Sequence, residues 1–314
     1  MASEFRIPVP HMTDDITVWG NYVYLSAGMK RYYVYNTKDP VLGRGGMGEV
    51  YRGYDCRTGE PVAIKRLYDR YCAIPSIRRK ARIESGLVFS HPNIIEMLGY
   101  SEYKCGRGPV FIISRYIPGY NIDRFLERHA PLFNSADRPV RIVRMLLPLL
   151  DALDFLHRQF IYHLDIKPSN IMIDKFSTAR LMDLGVANSS SDNAGFGENE
   201  FGVIGTPRFA APEQFNMPGR KSDIDRTSDL YEFAVTLYEL ITGNKPFEGD
   251  TLKEVAYKHL NGYLPPHEAI PARLLAVLQK ATEVRRADRY PDAKTLKEAL
   301  IEAITQRRRR WPFS

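Results

Sequence analysis

Residues 163–170 read HLDIKPSN, and the way this octapeptide is read decides the rest. FIY precedes it at Phe160–Tyr162 and IMI follows at Ile171–Ile173, so Asp165, Lys167 and Asn170 stand in an otherwise apolar stretch. A second carboxylate, Asp183, comes shortly after in ARLMDLG. Asn170 and Asp183 are two oxygen donors, which suits Mg²⁺, a hard cation that keeps few protein ligands and completes its shell with phosphate and water. Asp165 is then left to accept a hydroxyl proton. Lys167 can balance charge on a transferring phosphoryl group.

Upstream, GRGGMG at Gly43–Gly48 places glycines at Gly43, Gly45, Gly46 and Gly48. A dinucleotide-binding turn would open a helix, but EVYRGY at Glu49–Tyr54 continues as a strand. These glycines therefore sit at a strand–strand turn, where missing side chains let backbone amides lie over phosphates. The next strand carries VAIK, Val62–Lys65, and Glu84 follows 84 − 65 = 19 positions later in a helical stretch. A lysine that holds a polyphosphate needs a carboxylate to aim it, and Glu84 can serve. Taken alone, Lys65 reads as an exposed edge residue and Glu84 as part of a solvated helix face; the glycine turn close before Lys65 is what favours the phosphate reading.

Alternation marks strands at Thr17–Leu25, Arg31–Tyr35, Gly48–Tyr54, Pro61–Arg66 and Val110–Tyr116. A helix is predicted over Ser76–Phe89 with Ser76 as its N-cap and Gly86 as its weak point. After Gly119 helical spacing takes over. Ile142, Leu146, Leu149, Leu153 and Leu156 line one helix, and Phe233, Leu237, Leu240 and Ile241 line another that closes at Gly243. Further helices are expected at Leu274–Leu278 and Leu296–Ile304, and Asn188–Gly205 reads as a mobile loop with little to bury. A strand-rich half and a helix-rich half suggest two lobes with a cleft between them.

The chain has 314 residues, with 44 Lys plus Arg against 37 Asp plus Glu and 44% hydrophobic content, which excludes disordered, collagen-like and disulfide-framework proteins. No apolar run reaches the roughly 18 residues of a membrane helix. The start MASEFRIPVP has no apolar core, so no signal peptide is expected. Three cysteines, Cys56, Cys72 and Cys105, with no CxxC argue for a reducing compartment and against zinc. The net charge of +7 is too diffuse to imply specific nucleic-acid binding. The run Arg307–Arg310 is either a solvated tail or a contact for acidic lipid or protein.

Taken in order, the motifs resemble those of a eukaryotic-type (Hanks-type) serine/threonine protein kinase catalytic domain. That resemblance implies an α+β, bilobal protein kinase fold: a small antiparallel-sheet N-lobe with one main helix and a large helical C-lobe. It divides the chain into an N-terminal extension (1–30, partly disordered, with Thr17–Leu25 either adding a strand pair to the small lobe or forming a loosely attached arm), an N-lobe (31–116), a C-lobe (117–305) and a basic tail (306–314). It assigns Gly43, Gly45, Gly46 and Gly48 to the loop over the ATP phosphates, Lys65 to the α- and β-phosphates, and Glu84 to the helix partner of Lys65. Asp165 becomes the catalytic base and Asn170 and Asp183 the ligands of Mg²⁺ (or Mn²⁺). Adenine is expected between Val50 and Ala63 above and Met172 below, against the backbone around Tyr116 and Ile117, with Ser114 at the rear of the pocket. Glu213 of Ala211-Pro212-Glu213 pairs with a buried arginine, best matched by Arg289. Asp229 anchors the catalytic loop.

Two positions depart from the family pattern. Leu164 stands where the family usually has an arginine that pairs with a loop phosphate, so activity is expected not to depend on phosphorylation at Ser189, Ser190, Ser191 or Thr206. Leu184 replaces the usual phenylalanine and is expected to pack near Val88, Met97 and His163. Lys167 and GTPRFAAPE (Gly205–Glu213) resemble serine/threonine rather than tyrosine kinases, with Thr206 bonding near Asp165 and Lys167. Asn121 and Ser169 stand where basophilic members carry acids, which argues against a strict preference for Arg-rich substrates. The reading is thus an ATP-dependent kinase of protein hydroxyls, capable of autophosphorylation, on the cytosolic side, with a membrane tether outside the chain or host-cell delivery left open. Short connections resemble bacterial or bacterial-effector kinases, and self-association is open. The alternatives are a pseudokinase scaffold and a related small-molecule kinase.

Overall fold

A computed structural model describes residues 6–12, 14–28, 30–87, 89–103, 108–183, 202–216 and 223–305. The chain forms two compact units, Met1–Pro118 and Gly119–Ser314, so the division falls at Pro118 rather than at Tyr116.

The first unit is a sheet. Its strands are β1 (Ile16–Trp19), β2 (Tyr22–Ser26), β3 (Tyr32–Asn36), β4 (Gly43–Arg44), β5 (Gly48–Asp55), β6 (Pro61–Leu67), β7 (Met97–Glu102) and β8 (Val110–Arg115). They pair antiparallel in the order β1-β2-β3-β5-β6-β8-β7, with β4 folded back on β5. Period-two alternation sorts the side chains by face. Val23, Leu25, Tyr33, Tyr35, Val62, Ile64, Phe111 and Ile113 close one core, whereas Tyr24, Val34 and Cys56 pack with Ile7, Val9 and Met12. The short helix α1 (Asp69–Cys72) leads into α2 (Pro75–Gly86), which packs on β7 and β8 over Leu67, Ala81, Met97, Val110 and Ile112.

One open reading is decided here and one expectation changes. Within the described residues, the extension over 1–30 joins the N-lobe sheet. Thr17–Leu25 forms a β1–β2 hairpin turning at Gly20, β2 pairs along the whole of β3, and Leu25 is fully buried. Ile7 N–H also donates to the Cys56 carbonyl at 2.8 Å. The helix start moves as well: Ile74 precedes α2 and Pro75 takes its first turn, where a missing N–H costs nothing, so Ser76 is no cap. The helix ends at Gly86, and Leu87 is already extended.

The second unit begins with β9 (Gly119–Asn121), α3 (Ile122–Arg128), α4 (Ala130–Phe133) and α5 (Arg138–His157). Strands β10 (Ile171–Asp174) and β11 (Ala179–Leu181) follow and form a small sheet with β9. A second small sheet pairs β12 (Gly202–Val203) with β13 (Phe215–Asn216). Among the described residues, α6 (Arg226–Thr242), α7 (Leu252–Asn261), α8 (Ala272–Ala281) and α9 (Ala293–Thr305) follow. The stripe Ile142, Leu146, Leu149, Leu153 and Leu156 on α5 is completely buried, and α5 packs against α6 and α9. Helix α6 is buried nearly all round, as expected for a helix through the middle of a large core. Asp225 caps its start by accepting from Thr227 N–H at 2.8 Å, and Gly243 ends it in the left-handed conformation at φ 74°. Among the described residues no helix is long and apolar enough to cross a membrane.

Candidate active site

Helix α6 builds the 163–170 loop by offering side chains to its backbone. Asp229 is fully buried, and its Oδ1 accepts from Leu164 N–H at 2.8 Å while Oδ2 accepts from His163 N–H at 2.9 Å. His157 Nε2 lies 2.7 Å from the same Oδ2. One turn on, Glu232 Oε2 accepts from Ile166 N–H at 2.8 Å, and a further turn on, Thr236 donates its hydroxyl to the Ile166 carbonyl at 2.9 Å. Spacings of three and four residues put 229, 232 and 236 on one helix face. Held this way, Leu164 is buried in the left-handed region at φ 59°, a conformation that costs a non-glycine residue about 1–3 kcal/mol and persists only where the surroundings fix it.

The result is a closed hydrogen-bonded set around Asp165. Its Oδ2 accepts from Lys167 Nζ at 2.7 Å and Asn170 Nδ2 at 2.9 Å, and its Oδ1 accepts the Thr206 hydroxyl at 2.6 Å. Lys167 also donates to Thr206 Oγ1 at 2.6 Å, and since an ammonium only donates, the Thr206 proton must point at Asp165. Asp165 is one-fifth exposed, so a lone pair remains within reach of an incoming hydroxyl.

Asn170 ends the 3-10 turn Pro168–Asn170 and spends Nδ2 on Asp165, so Oδ1 is the atom it can offer a cation. Its carbonyl accepts from Met182 N–H at 3.0 Å, and the Met182 carbonyl lies 3.2 Å from His163 Nε2. These bonds pin the residue before Asp183, which itself sits at φ 50°. The donor set, one amide oxygen and one carboxylate, fits a hard divalent cation that keeps phosphate and water ligands.

In the first unit, Gly45 N–H donates to the Gly48 carbonyl at 2.9 Å and closes the turn between β4 and β5. A Cβ at Gly43 or Gly46 would meet nothing within 4 Å, so the backbone of this turn faces open space. Gly48 is different: a Cβ there would stand 2.2 Å from the Arg66 carbonyl, so close pairing of β5 with β6 already demands glycine. Register places Val50 opposite Lys65, and Ala63 between Arg52 and Ser114. Cross-strand partners share a face. Val50, Ala63, Lys65 and Ser114 are therefore half-buried together on the side away from the Ile64 core. Glu84 is half-buried on α2, and Tyr116 and Ile117 follow β8, half-buried, with the Arg52 guanidinium 5.2 Å from the Tyr116 ring centroid. Met172 lies on β10, opposite Asn121 and Arg180.

Residues 36–308 match the protein kinase domain family. The chain belongs to that family. It is 32% identical over 268 residues to serine/threonine-protein kinase PknB of Mycobacterium tuberculosis, covering 83% of this chain and 41% of that protein. It is 35% identical over 224 residues to a probable serine/threonine-protein kinase of Streptomyces coelicolor, covering 70% of this chain and 32% of that one. The chain thus spans about two-fifths of the length of the first of these relatives and a third of the second. Among solved structures it resembles the Mycobacterium tuberculosis PknI kinase domain, with TM-score 0.62, 21% identity, and coverage of 91% of this chain and 98% of that one. Kinases of this family use ATP and a divalent cation.

Within the kinase domain, Glu213 and Arg289 form a bidentate pair, Nη1–Oε1 at 2.7 Å and Nη2–Oε2 at 2.9 Å, with the arginine side chain fully buried. Ser228 donates to the same Glu213 Oε1 at 2.6 Å. Ser189, Ser190, Ser191 and Leu184, together with Val88 and the basic tail over 306–314, lie outside the described residues. Sequence reasoning missed Glu232 and Gln214. Glu232 is fully buried with Gln214 Nε2 2.8 Å from its Oε1, and burial drives its carboxyl well above the usual range. The available signal was a lone acid in the apolar run LYEFAV, three positions after Asp229.

Proposed function

We propose that this kinase domain is an active enzyme that transfers the γ-phosphoryl group of ATP to serine or threonine hydroxyls of proteins, with Mg²⁺ (or Mn²⁺) as cofactor. The observation that carries the reading is the set Asp165, Lys167, Asn170 and Thr206, joined at 2.6–2.9 Å around one accessible carboxylate. As the substrate oxygen bonds to the γ-phosphorus and the bond to the β-bridging oxygen breaks, Asp165 takes the hydroxyl proton and ADP departs. Lys167 stands beside Asp165 and offsets negative charge on the transferring group. Asn170 and Asp183 would hold the cation, which supplies neutralisation of the phosphate charge. The open glycine turn and Lys65 would receive the phosphates, and the half-buried face of Val50 and Ala63 would receive adenine.

Buried thiols at Cys56 and Cys72 and the use of ATP support a cytosolic setting. The test is transfer from γ-labelled ATP, with Mg²⁺ and with Mn²⁺ in turn, to the chain itself and to a basic acceptor protein, followed by acid hydrolysis. Label recovered as phosphoserine or phosphothreonine is expected. Label found only on tyrosine or only on a small molecule would overturn the reading.

A further inference from the structure

Gln214 and Glu232 join two segments that the chemistry needs side by side. Gln214 is buried directly after Glu213, and its Oε1 accepts from Ala211 N–H at 2.7 Å, which fixes the amide so that Nε2 is the donor. That nitrogen faces three acceptors: Glu232 Oε1 at 2.8 Å, the Ile204 carbonyl at 3.0 Å and the Leu164 carbonyl at 3.2 Å. Ile204 N–H in turn donates to the Gln214 carbonyl at 3.0 Å. The other oxygen of Glu232 holds Ile166 N–H, the residue after Asp165. Gly205, at φ 85°, lies so close to the Leu164 carbonyl that a Cβ would approach it to 2.2 Å, and Thr206 beside it reaches Asp165 and Lys167.

The path therefore closes on itself. It runs from Glu232 to Ile166 and Asp165 on one side, and from Glu232 through Gln214 to Ile204, Gly205 and Thr206 on the other. We propose that Gln214 and Glu232 form a permanent clamp that docks the 202–216 segment on the catalytic loop, and that Glu232 is a positioning residue for phosphoryl transfer. Leu164 itself offers no cation to a phosphate, and the clamp does this ordering with side chains that are always present. This inference rests on the kinase reading above.

Glu232→Gln tests it with volume conserved. The two donors facing position 232 demand two acceptors, and an amide has one, so either orientation sets N–H against N–H. The loss of a buried hydrogen bond is expected to lower kcat about tenfold, with KM for ATP within about twofold. Amide exchange should rise in peptides covering 163–170 and 202–216 but not in the middle of α5. Gln214→Glu opposes two carboxylates and should cost more. Combined with Glu232→Gln it restores a bond of reversed polarity, so the double variant should recover part of kcat. Unchanged kcat and unchanged exchange in Glu232→Gln, or a double variant no better than Gln214→Glu, would overturn the clamp. If Gln214→Glu fails to fold, exchange in Glu232→Gln decides alone. A wild-type chain that transfers no phosphate would instead count against the kinase reading, and the exchange arm would still judge the clamp.

Discussion

Thr206 shows how tightly single residues are specified in this site. Its hydroxyl is both acceptor for Lys167 and donor to Asp165, and a methyl of the same size does neither. Thr206→Val should lower kcat about tenfold, the cost expected for leaving a charged hydrogen bond unmade, and Thr206→Ser should restore most of it. Steady-state rates at saturating ATP would check this; unchanged kcat in the valine variant would show the hydroxyl to be incidental. Arg289 makes a different case. Removing it strands the buried Glu213 carboxylate, so Arg289→Leu should lose about 3–5 kcal/mol of stability. Arg289→Lys should not rescue it, because an ammonium cannot form the planar bidentate pair. Denaturant midpoints would read both.

At the scale of elements, α2 is positioned by charge as well as by packing. Arg78 is buried and donates to Glu102 Oε2 at 2.8 Å, to the Cys72 carbonyl at 2.5 Å and to the Gly108 carbonyl, while Arg82 holds Glu102 Oε1. Tyr100 donates to the same carboxylate at 2.8 Å. Burial alone would raise the Glu102 carboxyl, but the bonds from Tyr100, Arg78 and Arg82 outweigh it and hold it below the usual range. Because α2 carries Glu84, Arg78→Met should weaken the first unit by about 3–5 kcal/mol and reduce transfer more than it reduces ATP binding. Equal losses in both would show that α2 is merely unstable rather than misplaced.

The elements also show what sequence makes legible. The stripes on α5 and α6 and the glycine stop at Gly243 are local periodicities, and they appear where expected. The chemistry-bearing residues near Asp165 stand close in sequence or in named motifs, so they were readable too. The β1–β2 hairpin was harder, because its membership of the sheet depends on pairing with β3 and burial of Leu25, which are long-range facts. Gln214 and the Arg78–Glu102 network were invisible for a related reason, since each reads as a solvated polar residue until the partner across the fold is known, and Glu232 shows in sequence only as a lone acid in an apolar run.

For the molecule as a whole, buried titratable groups set the pH window. Burial pushes His259 down to about 3, with Tyr231 Oη 2.7 Å from its Nδ1. Unfolded, it takes a proton near pH 6.5. Between these values the unfolded chain binds the extra proton, so stability falls as pH drops, by about 1.4 kcal/mol per unit. Glu232 works the other way: raised above 4.5, it favours the fold most below that value and loses this contribution as pH rises through its folded pKa. The acid limb of a stability–pH curve should therefore be shallower in His259→Gln and steeper in Glu232→Gln. Parallel limbs in all three proteins would mean that neither group titrates as placed.

If internal contacts alone set the catalytic loop of this kinase domain, it needs no phosphate to be active. The most direct measurement is the initial rate of phosphoryl transfer by phosphatase-treated chain carrying Ser189→Ala, Ser190→Ala and Ser191→Ala, beside the same protein with Asp165→Asn. The account predicts a rate within about twofold of untreated wild type in the first and loss of transfer, by the 10²–10⁴-fold typical of a positioned proton acceptor, in the second. A dephosphorylated chain that is silent until phosphate is added, or transfer that survives Asp165→Asn, would contradict it.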